Sequence, residues 1–235
     1  MIFEQYFESQ SSSYTYLLAC EHSQQALLID PVQSEVEHYV ARLSALGLSL
    51  VYSLETHVHA DHITGASLLR DQLGAKTVLH RASNVACGDL LLSDGCIIRM
   101  GSLEIETRYT PGHTNACMSY VCGNAVFTGD TLLINGCGRT DFQGGDAGRL
   151  YDSIQQQLFS LPDETVVYPA HDYHGKRAST IGHEREHNAR LGQQQSRDAF
   201  IALMGNLKLA YPAKIAEALP ANQACGATAK QNMQG

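Results

Sequence analysis

Apolar and polar positions along the chain change over in short runs. Stretches with strand character occupy 14–20, 25–30, 50–56, 97–100, 103–109, 118–121, 125–128 and 165–168. They are rich in β-branched, aromatic and Leu residues and are bounded by turn formers. Gly101-Ser102 separates two of these runs and Gly123-Asn124 separates two more. A helical period appears instead at 34–46, where Val36, Tyr39, Val40, Leu43 and Leu46 share one stripe, and again at 64–73, 148–159 and 198–207. Strands arriving in runs with helices between them, and no internal repeat, predict one domain over 1–235 built from packed sheets flanked by helices. The end of the chain, 227–235, is small and polar and is expected to fray.

Composition narrows the classes of function. With 235 residues, 44% hydrophobic and only 17% charged, the chain can bury a sizeable core, which excludes a disordered, collagenous or coiled-coil protein. Sixteen Lys and Arg against 24 Asp and Glu give a net charge of −8 with no basic run. A nucleic-acid partner is therefore not expected, because phosphates are met by clustered cations. No apolar run reaches the roughly 18–20 residues of a spanning helix. The acidic start, Met1 to Glu8, has neither the basic region of a secretory signal nor the arginines of a transit peptide. These features predict a cytoplasmic protein with no membrane association. Seven cysteines without a CxxC pair read as reduced thiols acting as small buried hydrophobes. Cys137, between Gly136 and Gly138, is placed in a loop, where a reactive thiol is the alternative.

Eleven histidines are the unusual component. Directly after the 50–56 run comes His57-Val58-His59-Ala60-Asp61-His62, three imidazoles and a carboxylate at one strand end. Such a cluster is costly when buried unless a cation or hydrogen-bond partners satisfy it. Three later strand-like runs also lead into turns that deliver a His or an Asp. They supply His113 in Pro111-Gly112-His113-Thr114, Asp130 in Gly129-Asp130-Thr131, and His171 in Pro169-Ala170-His171-Asp172-Tyr173-His174. Turns at the edge of a rigid sheet let ligands from distant parts of a chain converge.

These motifs in this order resemble the metallo-β-lactamase fold superfamily. The resemblance implies a four-layered αββα sandwich of the α/β (α+β) class. Two of its branches are similar: the glyoxalase II-like thioester hydrolases and the persulfide dioxygenases. The flanking words, Gly136-Cys137-Gly138-Arg139-Thr140-Asp141-Phe142, Tyr168-Pro169-Ala170-His171-Asp172-Tyr173, Met204-Gly205-Asn206-Leu207 and Pro220-Ala221-Asn222, look like the dioxygenase branch, and the similarity spans about 3–226. Ligand counting alone leaves the metal open. A binuclear zinc hydrolase would hold one ion by His57, His59 and His113 and the other by Asp61, His62 and His171, with Asp130 bridging. The dioxygenase resemblance implies a single Fe(II) per chain on His57, His113 and Asp130, the catalytic residues. This 2-His-1-carboxylate set leaves coordination positions open. His59, Asp61, His62 and His171 would then surround those ligands and orient them by hydrogen bonds.

The same resemblance implies glutathione persulfide and O2 as substrates, sulfite and glutathione as products, and a homodimer. Glutathione carries two carboxylates, so Arg139 is the expected clamp, with a salt bridge to Asp141 as its alternative role. Tyr173 is the second expected substrate contact. The glyoxalase II branch usually appends a larger helical domain, whereas only 48 residues follow His187. His183-Glu184-Arg185-Glu186-His187 matches the H-E-x-x-H peptidase signature, but no later histidine could complete a zinc site, so it reads as a solvated helix start. Gly144-Gly145-Asp146 reads as a loop and the cap of the following helix.

Overall fold

The computed structural model describes residues 1–227, so the fraying expected of 227–235 falls, beyond Ala227, outside the described residues. By their internal packing the residues divide into two compact units, 1–92 with 99–103 and 211 onward, and 93–98 with 104–210. Among the described residues no helix is long and apolar enough to cross a membrane.

The first unit is built on a six-stranded mixed sheet in sequential order. Its strands are β1 (Ile2–Glu8), β2 (Ser13–Cys20), β3 (Gln25–Ile29), β4 (Ser49–Leu54), β5 (Lys76–His80) and β6 (Leu90–Leu92). β1 to β3 are antiparallel, and β3 to β6 run parallel. Parallel neighbours need crossovers. The first is α1 (Val36–Leu46), which buries Val36, Tyr39 and Leu43 from the stripe read in the sequence and ends at Gly47. The second is α2 (Ala66–Leu73). Leu17, Leu28, Leu50 and Leu69 pack with the α1 stripe into one core, each such side chain contributing about 1.5–3 kcal/mol on burial.

The second sheet is also six-stranded, in the order β12-β11-β10-β9-β8-β7. Its members are β7 (Ile97–Met100), β8 (Leu103–Tyr109), β9 (Met118–Cys122), β10 (Ala125–Gly129), β11 (Val166–Pro169) and β12 (Ser179–Thr180). β10 and β11 are parallel, which brings their C-terminal ends to the same edge. Helices α3 (Ala147–Ser153), α4 (Ile181–His187) and α5 (Arg197–Gly205) supply Leu150, Ile181 and Phe200 to a core that also holds Val126 and Val167. Asp146 caps α3, accepting the Arg149 N–H, as its sequence context indicates. Helix α6 (Ile215–Gln223) returns the chain to the first unit.

One expectation about the cysteines is corrected. Cys87 and Cys225 form a disulfide, with Cα atoms 6.0 Å apart. The pairing spans 138 positions, so no local spacing announces it. Cys20, Cys96, Cys117, Cys122 and Cys137 remain free thiols. Cys137 lies in the loop that its flanking glycines indicate and is buried there as a small hydrophobe, and burial pushes its thiol up to about 11, away from the reactive alternative.

Candidate functional site

In the first unit, the parallel strands β3 and β4 end side by side and deliver two carboxylates ahead of the histidine loop. Asp30 follows β3 and adopts a left-handed backbone, with φ 52°, a conformation Asp tolerates better than most residues. Its Oδ1 accepts the Thr56 N–H at 2.7 Å and its Oδ2 the Thr56 hydroxyl at 2.8 Å. The single hydroxyl hydrogen is committed to Asp30, so the Thr56 oxygen accepts from His57 Nδ1 at 3.0 Å. The network thereby assigns the lone pair of His57 to Nε2. His59 Nε2 lies 3.1 Å from Asp30 Oδ1 and 3.6 Å from Glu55 Oε2, with all three side chains buried. Burial alone would push the His59 imidazole down, but the Asp30 carboxylate outweighs it and holds the ring well above the ordinary histidine range. Burial pushes the Glu55 carboxyl up. The loop continues with the His57, His59 and His62 rings in series, at centroid spacings of 4.1 and 4.3 Å. Asp61 Oδ2 lies 2.8 Å from His62 Nδ1. The ligand atoms of His59, Asp61 and His62 lie within 4.8 Å of one another.

In the second unit, the turns after β8, β10 and β11 bring together His113, Asp130 and His171. His113 Nε2 stands 3.5 Å from Asp130 Oδ2, and His171 Nε2 stands 3.6 Å from Asp130 Oδ1. The Gly138-Arg139 segment fixes this arrangement from behind. His113 Nδ1–H donates to the Arg139 carbonyl at 2.8 Å, and the Gly138 N–H donates to the Asp130 carbonyl at 2.7 Å. A Cβ on Gly138 would lie 2.3 Å from that carbonyl and 2.9 Å from the His113 ring, so only glycine fits. Asp130 Oδ1 is buried and accepts no hydrogen bond among the described residues. A buried carboxylate oxygen in that condition is costly unless a cation meets it, and imidazole with carboxylate is a donor set suited to a divalent metal ion.

The other expected residues divide clearly. The Arg139 guanidinium closes on Asp141 through two bonds of 2.6 Å and also donates to the Ala210 carbonyl at 2.6 Å. Its alternative role, the salt bridge, is thus formed. Tyr173 is 68% exposed, with its ring parallel to His171 at 6.0 Å between centroids. Glu184 corrects the reading of its helix as solvated. It is fully buried and accepts the Asn135 N–H at 2.8 Å, the Asn188 amide at 2.7 Å and the Ser179 hydroxyl at 2.5 Å. It is a structural hub under the turn leading to Gly138, while His183 and His187 on the same helix are exposed. Sequence reasoning missed Asp30, Glu55, Thr56 and Asn222. The only signals were acids at strand ends and, for Asn222, membership of the Pro-Ala-Asn motif.

Residues 9–171 match the family model of the metallo-beta-lactamase superfamily, and the chain belongs to that superfamily. The persulfide dioxygenase ETHE1 of human mitochondria is 47% identical over 229 residues, 96% of this chain and 89% of that protein. The crystal structure of ETHE1 from Myxococcus xanthus matches 97% of this chain and all of its own, with a TM-score of 0.94 and 47% identity. Within the superfamily the chain belongs to the persulfide dioxygenases. A hydroxyacylglutathione hydrolase of a Polaromonas species is 38% identical over 167 residues, but only 62% of that protein is covered.

Proposed function

We propose that this protein is an enzyme that oxidises glutathione persulfide with O2 and water to sulfite and glutathione, at one Fe(II) per chain held by His57, His113 and Asp130. The observation that carries this reading is the near full-length identity to persulfide dioxygenases in both sequence and structure. Iron is supported by the donor set, two neutral imidazoles and a carboxylate with a buried oxygen that accepts no hydrogen bond among the described residues. When bound, such an iron supplies the redox chemistry of O2 and open positions for a soft sulfur anion.

The chain's own residues supply geometry and charge. Thr56 and the Arg139 carbonyl hold the Nδ1 protons of His57 and His113, which sets the tautomers in which Nε2 can ligate. His171 lies against Asp130, while His59, Asp61 and His62 form the polar surround of His57. Tyr173 presents an exposed phenol that can donate to the substrate. Arg139 is assigned a glutathione carboxylate, which it would meet by sharing or exchanging Asp141. This reading treats 1–235 as one catalytic domain. A homodimer and a cytoplasmic location belong to the same proposal.

The direct test supplies glutathione persulfide to the enzyme and measures oxygen uptake and sulfite together. The proposal expects one sulfite per O2 consumed. Absence of oxygen uptake, with rapid hydrolysis of a glutathione thioester, would establish the binuclear zinc hydrolase instead.

A further inference from the structure

The last described turn of the chain grips the histidine loop of the first unit. Asn222, at the end of α6, is buried and uses its whole amide on that loop. Its Nδ2 donates to the His59 and His62 carbonyls, each at 2.8 Å, and its Oδ1 accepts the Thr64 N–H at 2.9 Å. The following residues extend the grip. The Ser67 N–H donates to the Cys225 carbonyl at 2.9 Å, and the Gln33 amide donates to the Gly226 carbonyl at 2.8 Å. Gly226 has φ +82° and passes so near Thr64 that a Cβ would lie 2.0 Å from the Thr64 carbonyl. Cys225 packs among Ala66, Leu79 and Val85, and its sulfur is bonded to Cys87. Thus three backbone groups of the segment carrying His59, Asp61 and His62 are held by one side chain, and that side chain is three residues from a disulfide.

We infer that 222–226 is a positioning clasp for the metal-binding loop, with Asn222 as its positioning residue and the Cys87–Cys225 bridge as a thiol-sensitive fastener. Opening it is a two-electron exchange. A glutathione thiolate attacks Cys87 Sγ, the half-buried partner, and displaces the buried Cys225 as thiolate. A second glutathione thiolate then attacks the glutathione sulfur of that mixed disulfide. This releases Cys87 as thiolate and glutathione disulfide, and both cysteine thiolates take protons from solvent. Two glutathiones are oxidised and one bridge is reduced. The glutathione-releasing reaction proposed above produces the reductant, so the link to that product rests on that reading, while the clasp itself does not. With the fastener open, α6 keeps its hydrogen bonds but loses its covalent tie, and the loop carrying His57 becomes easier to release.

The experiment compares full-length protein with the bridge intact, the same protein reduced by glutathione, Cys225→Ser, and Asn222→Ala. Mass tagging of thiols confirms the bridge state in each sample. Amide hydrogen exchange over residues 57–67 is read first, because it needs no assumption about the metal. Faster exchange there in the reduced protein and in both variants, with β2 and β10 unchanged, is the expected result. Metal release to a chelator is read second, and about a 10–100-fold acceleration is expected in the same three samples. Equal exchange at 57–67 in bridged and reduced protein overturns the fastener. Unchanged exchange in a folded Asn222→Ala overturns the clasp. Finding zinc in place of iron would overturn the dioxygenase reading and leave the exchange result to judge the clasp separately.

Discussion

Arg139 acts on His113 through its backbone, while its side chain turns elsewhere. The carbonyl oxygen receives the His113 Nδ1 proton at 2.8 Å, and the guanidinium pairs with Asp141. One glycine away, the Gly138 N–H fixes the Asp130 carbonyl. The Gly-Cys-Gly-Arg turn therefore orients two proposed iron ligands with main-chain groups, which separates what a backbone change does from what a side-chain change does.

Gly138→Ala tests the backbone half. The added methyl cannot be accommodated without moving Asp130 or His113, so metal affinity should fall by about 10–100-fold, the range for lost support around metal ligands. Metal content after dialysis against a graded chelator series checks this. Full retention would mean that the turn is not what sets these ligands.

Arg139→Gln tests the side-chain half. The carbonyl to His113 is retained, so metal content should change little. If the guanidinium binds a glutathione carboxylate, kcat/KM for glutathione persulfide should drop by about 10–150-fold, the equivalent of roughly 1.5–3 kcal/mol for a charged hydrogen bond. A small persulfide without carboxylates should lose much less. Equal losses on both substrates would confine Arg139 to its tie with Asp141.

Glu184→Ala should destabilise the protein by about 3–6 kcal/mol, because hydrogen bonds to a charged group contribute roughly 1.5–3 kcal/mol each and the Asn135 and Asn188 donors both lose one. Chemical denaturation measures the change. A stable variant would contradict the role of Glu184 as a buried hub.

Cys137 should resist alkylation in the native protein. Burial raises its thiol to about 11, so it stays neutral and unreactive at about pH 8 and ionises only as pH climbs toward that value. Mass mapping after iodoacetamide treatment checks this, with unfolded protein as the control in which Cys137 reacts. Rapid native labelling would contradict the burial.

Much of this was legible in the sequence because it is local. Turns delivering His57, His113, Asp130 and His171 are announced by the apolar strands before them, and α1 by its stripe from Val36 to Leu46. β1 was not, since Ile-Phe-Glu-Gln-Tyr-Phe-Glu pairs its apolar residues instead of alternating them, as suits a half-buried strand at the edge of the sheet. β5 and β6 are five and three residues long, too short to show a period. The remaining misses are long-range. Asp30 meets His59, Cys87 meets Cys225, and Asn222 meets His62 across 29 to 160 positions. Sequence spacing carries no information about such contacts until a fold closes them. Glu184 escapes a sequence reading for a related reason: a polar helix can still bury one acid when a neighbouring turn offers it donors.

The most direct test of the central claim is metal analysis of the protein produced with iron and zinc both available, alongside His57→Ala, His113→Ala and Asp130→Ala. The account predicts about one iron per chain in the parent and loss of most of it in each variant. Two zinc ions per chain, with thioester hydrolysis and no persulfide-dependent oxygen uptake, would contradict it.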